Sequence, residues 1–124
     1  MNAGDYLSNI KTILYLEPYI KEISILREET QGFSGLYRIK LQLKDENMLE
    51  IFERFSIKDQ TIHVSKYSFH WQDKDKNIIK RWDNAPHHKQ LKTFPHHKHD
   101  GDEKNVLPCF HPTLLEVLDE VCQR

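Results

Sequence analysis

The chain has 124 residues, 38% of them hydrophobic and 30% charged, with 18 basic and 19 acidic side chains and a formal net charge of −1. That length holds one ordinary domain, so residues 1–124 are read as a single domain whose site must be built from one core and its loops. The composition excludes collagen-like and low-complexity chains, the charge excludes a histone-like cation, and no apolar run approaches the ~20 residues needed to span a membrane.

The N-terminal segment has no basic start followed by an apolar stretch, so no signal peptide is expected. Gly4 to Leu16 is predicted helical, because Tyr6, Ile10, Ile13 and Leu14 recur at helical spacing, Asp5 can cap the start and Pro18 ends the run. Strands are then expected over Tyr19–Thr30, Gly35–Leu43, Leu49–Ile57, Thr61–Trp71 and Ile78–Trp82. The clearest is Gly35–Leu43, where Tyr37, Ile39, Leu41 and Leu43 alternate with Arg38, Lys40 and Gln42. Short polar connections such as Lys44-Asp45-Glu46-Asn47 favour an antiparallel meander.

From Asp83 to Cys109 no period is visible, and Pro86, Pro95 and Pro108 punctuate the stretch. A structureless run of this length is normally a functional loop or a disordered one, and its aromatic and histidine content fits disorder poorly. Pro112 suits a first-turn position, Thr113-Leu114-Leu115-Glu116 has the form of a capping box, and Leu114, Val117, Leu118 and Val121 make one apolar stripe, so a C-terminal helix is expected. The predicted fold is α+β: an antiparallel β-meander of about five strands, packed by an N-terminal and a C-terminal helix, with a long His-rich loop. Cys109 and Cys122 have neither metal-type spacing nor disulfide-scaffold density, so a reducing, cytoplasmic setting is expected.

Eight histidines are present, five of them between His87 and His99. Around them Lys80, Arg81, Lys89, Lys92 and Lys98 face a single acid, Asp83. Histidine exchanges a proton near neutral pH, so paired histidines flanked by Arg and Lys can do acid–base work on a phosphodiester. The same imidazoles can bind a transition metal, with His87, His88, His96, His97, His99 and Asp83 as the candidate set. That spacing matches no standard zinc pattern, and His97 and His99 can converge only if their segment is extended. Glu53 shares a predicted face with Leu49, Ile51, Phe55 and Ile57. Burial there would raise its pKa toward the range of a general base, unless it turns to solvent or pairs with Arg38 or Arg54. His63 and His111 are read as ordinary residues.

The runs Tyr67-Ser68-Phe69-His70-Trp71-Gln72, Arg81-Trp82-Asp83-Asn84-Ala85-Pro86-His87-His88 and Thr93-Phe94-Pro95-His96-His97-Lys98-His99 resemble the signature of the TumE family. Those proteins are the toxin halves of prokaryotic toxin–antitoxin modules. The resemblance spans about Tyr19 to Val121 and implies a toxin restrained by a cognate antitoxin protein. It implies no catalytic assignment.

The preferred reading is therefore a cytoplasmic toxin that cleaves RNA by transesterification without a metal or other cofactor. His70, His88 and His97 are the acid–base set, and Glu53 is the alternative base. Arg81 and Lys98 hold the phosphate, Trp71, Trp82 or Phe94 stacks a base, and Asp83, His87, His96 and His99 complete the substrate site. The alternatives are a metal-dependent nuclease or phosphoesterase, and a non-enzymatic toxin that blocks a cellular target. RNA, the antitoxin and a second copy of the chain are the candidate partners, and no membrane is expected.

Overall fold

The computed structural model describes residues 1–123. Helix α1 (Ala3–Tyr15) is followed by seven strands and a second helix. The strands are β1 (Ile20–Gln31), β2 (Ser34–Leu43), β3 (Met48–Lys58), β4 (Thr61–Gln72), β5 (Ile78–Asp83), β6 (His97–Asp100) and β7 (Val106–Pro108), and α2 is Leu114–Val121. They form one open sheet in chain order, every neighbouring pair antiparallel. The α+β meander is as expected, but it has seven strands rather than about five. The two additional ones lie inside the stretch read as patternless, which leaves a shorter connection between Asp83 and His97.

Both helices cover one face. Leu7, Ile10 and Leu14 of α1 and Val117, Leu118 and Val121 of α2 join Tyr37, Ile39, Leu41, Leu49, Ile51, Phe55 and Phe69 in a single core. The caps explain the helix ends. Asn2, not Asp5, is the N-cap of α1; Asp5 sits three residues on and completes the capping box. Thr113 caps α2 reciprocally with Glu116, so Pro112 stands just before the helix rather than in its first turn. No helix among the described residues is long and apolar enough to cross a membrane.

Among the described residues the other face carries no helix. Across β2 to β6 two adjacent rungs run over it. One is Lys40, Glu50, His70, Arg81 and His99, and the next is Arg38, Phe52, Ser68, Asp83 and His97. Residues paired across strands point to the same side, so each rung presents its side chains together.

Candidate active site

Asp83 is the centre of the site. It is 5% exposed, and its Oδ2 accepts a hydrogen bond from Arg81 Nε at 2.9 Å. Its Oδ1 accepts from the Ala85 backbone N–H at 2.9 Å and lies 3.0 Å from His97 Nε2. His99 Nε2 stands 3.7 Å from Oδ2. The strands make this possible: His97 and His99 are two apart on extended β6 and fall on one side, opposite Asp83 and Arg81 on β5.

Hydrogen bonds fix the rings. His97 Nδ1 is 3.0 Å from the Pro95 carbonyl, and His99 Nδ1 is 2.7 Å from the Glu103 carbonyl. A carbonyl only accepts, so both Nδ1 atoms carry hydrogen and both Nε2 atoms face the carboxylate. His97 Nε2 and Asp83 Oδ1 thus stand within hydrogen-bonding and ion-pairing distance.

Arg81 is gripped from two sides. Asp83 holds Nε, and His70 Nδ1 accepts from Nη1 at 3.3 Å. His70 Nε2 in turn donates to Gln72 Oε1 at 3.1 Å, which keeps Nδ1 free to accept. Beside this pair is a groove of about 380 Å³ lined by Lys40, Glu50, His70, Gln72, Lys76 and Arg81, with Met48 at its edge. Three of its lining residues are cations.

His88 arrives from the connection after β5. Its ring meets His97 edge-on with centroids 4.8 Å apart and lies 6.1 Å from the ring of His99. Burial, followed by the neighbouring imidazoles of His97 and His99, lowers its pKa from the ordinary value. Among the described residues no hydrogen bond or ion pair occupies its ring nitrogens.

The structure thus gathers His70, Arg81, Asp83, His88, His97 and His99. It does not gather the rest. Glu53 lies on the helix-covered face, 4% exposed, where its Oε1 accepts from Tyr6 Oη at 2.7 Å and Tyr37 Oη at 2.6 Å. Burial raises its pKa and the two hydroxyls oppose that rise. It does share the apolar face expected of it, but it pairs with tyrosines while Arg38 pairs with Glu50. Trp71, Trp82 and Lys98 also belong to the helix-side rungs, since Trp71 pairs with Lys80, and Trp82 with both Phe69 and Lys98. His96 leaves the cluster too. Its Nδ1 is 3.0 Å from Tyr67 Oη, and His111 stacks on Tyr67 with centroids 4.1 Å apart. His87 and Phe94 are exposed on the connection.

His111 is therefore a member of an aromatic stack that its sequence context did not signal. Gln72 and the carbonyls of Pro95 and Glu103 were likewise silent, because only folding reveals what orients a ring. Cys109 and Cys122 form no disulfide, and burial raises the pKa of Cys109.

No curated protein and no solved structure matches the chain. The family model described as Toxin TumE matches residues 10–124, and the chain belongs to that toxin family.

Proposed function

We propose that this toxin is an endoribonuclease whose reaction takes place on the helix-free face, around Asp83. Membership of a toxin family supports the toxic role and suggests a cognate antitoxin as partner. The observation that carries the reaction is the convergence of Arg81, His97 and His99 on one buried carboxylate, with His88 over them.

The roles follow from which atoms are free. His97 is 2% exposed and both its nitrogens are engaged, so it positions Asp83 rather than touching substrate. His70 likewise positions Arg81. Arg81 presents its remaining N–H groups to the phosphate oxygens. The unoccupied ring of His88 takes the proton from the ribose 2′-hydroxyl. The 2′-oxygen attacks phosphorus, the bond to the 5′-oxygen breaks, and His99, entering the step as the imidazolium with hydrogen on both nitrogens, gives its Nε2 proton to the leaving oxygen. The products are a 2′,3′-cyclic phosphate and a 5′-hydroxyl, and no metal is consumed or required. Lys40 and Lys76 in the groove beside Arg81 carry the adjoining backbone phosphates.

The test is cleavage of a defined RNA by purified protein, alongside total RNA examined after induced expression. Removing one proton-transfer group costs roughly 10²–10⁴-fold. H88A and H99A are therefore expected to lose that much rate at unchanged circular dichroism, while H63A, on an exposed position of β4, keeps full rate. Growth arrest with intact RNA would overturn the reading, as would undiminished cleavage by folded H88A and H99A.

A further inference from the structure

His88, His97 and His99 each offer a ring nitrogen within 4.8 Å of the other two. Three features make this more than a chance meeting of rings. First, both strand histidines have Nδ1 committed to a backbone carbonyl, at 3.0 Å and 2.7 Å. That outer hydrogen bond sets the tautomer and aims the Nε2 lone pair, as it does for most metal-bound imidazoles. Second, Asp83 Oδ1 stands 3.0 Å from His97 Nε2, close to the ~3.4 Å that separates ligands around a tetrahedral ion with ~2.1 Å bonds. Third, two ligands sit at alternate positions of one strand and the third on a connection held against them, so a small movement of His88 closes the set. The donor set of three imidazoles and one carboxylate suits a borderline ion of the zinc class, and is too rich in nitrogen for magnesium or calcium.

We propose that His88, His97 and His99, with Asp83 as the oxygen donor, form a binding site for one divalent transition-metal ion of the zinc class. Arg81 is the counter-charge already on Asp83 through Nε, so the ion engages Oδ1 and leaves the guanidinium in place. Binding stands on the imidazole geometry alone. Its effect on the reaction rests on the function proposed above: an ion on His88 takes the lone pair needed for the 2′-hydroxyl proton, so loading silences the metal-free cleavage. Transition-metal supply is then a second restraint on the toxin, acting beside the antitoxin.

The experiment uses untagged full-length protein stripped with chelator. Cobalt(II) is titrated in while the visible d–d absorption is followed, and zinc(II) is then added to displace it. The expected result is one saturable tetrahedral-type site per chain, with an absorption that zinc abolishes. H88A, which lies on the half-buried connection and leaves the sheet intact, and H99A should each weaken binding by more than about tenfold. H88C should restore much of it, because a thiolate replaces the imidazole as ligand, and H63A should bind like the unsubstituted chain. Circular dichroism on each variant separates ligand loss from misfolding. Absence of a saturable site, or equal binding by folded H88A and H99A, overturns the proposal. RNA cleavage is measured in the same samples. Inhibition by zinc that chelator reverses agrees with both proposals. Cleavage that requires the ion upholds the site and overturns the metal-free reaction instead.

Discussion

At the scale of single residues, the buried carboxylates Asp83 and Glu53 have opposite uses. Asp83 is matched by cations and protonatable rings, whereas Glu53 meets two neutral hydroxyls. Because the Glu53 pKa is raised in the folded chain, folding favours its protonated form. Its stabilising contribution is complete below the ordinary carboxyl pKa and is lost as pH climbs through the raised folded value. E53Q keeps an acceptor for both tyrosines and cannot ionise. It should therefore melt higher than the unsubstituted chain near neutral pH, with the two curves converging toward about pH 4. E53A removes the acceptor and leaves Tyr6 and Tyr37 unsatisfied, costing about 2–4 kcal/mol. Calorimetric melts of the three proteins from about pH 4 to about pH 8 check the sign and the order.

At the scale of elements, legibility followed the hydrophobic period. The first five strands and both helices were visible because apolar residues recur at spacings of two or of three and four, as in Tyr37-Ile39-Leu41-Leu43 and Leu114-Val117-Leu118-Val121. Strand β6 reads His97-Lys98-His99-Asp100 and contains no apolar residue, so nothing in it signals extension. It is a strand because Asp83, Trp82, Arg81 and Lys80 pair with it, and that register joins segments separated by a long connection. The same fact hid which face of the sheet each candidate side chain takes. His70, Arg81, Asp83, His88, His97 and His99 are all legible as candidates in the sequence, but Lys98, expected beside Arg81 at the phosphate, goes to the other face by strand alternation. Trp71 and Trp82 were lost to the core side for the same reason. One element also carries a tight steric limit. A side-chain carbon on Gly35 would meet Glu29 O and Phe55 Cζ, each at 2.9 Å. G35A should cost about 1–3 kcal/mol, read as a lower urea midpoint with unchanged slope.

At the scale of the whole molecule, the charges cancel while the helix-free face does not. The net charge is −1, yet Lys40, Lys76 and Arg81 line one groove. Binding of single-stranded RNA should weaken steeply with salt, the logarithm of affinity falling by about 0.7 per phosphate neutralised for each logarithm of salt. K40A and K76A should each lower that slope by about one contact while leaving the fold unchanged. Affinity measured by fluorescence anisotropy at several salt concentrations decides the matter; a slope that neither substitution moves would place the RNA elsewhere.

The sheet is laid out strictly in chain order, with β6 and β7 at its far edge. Synthesis begins at the N-terminus. The residues of β1 to β4 are thus synthesised before the segment bearing His97 and His99. Until β6 zips onto β5, Asp83 has no histidine partners and the cluster does not exist. The order of the strands is a timer: a chain caught part-way through translation lacks the strand that brings histidines to Asp83.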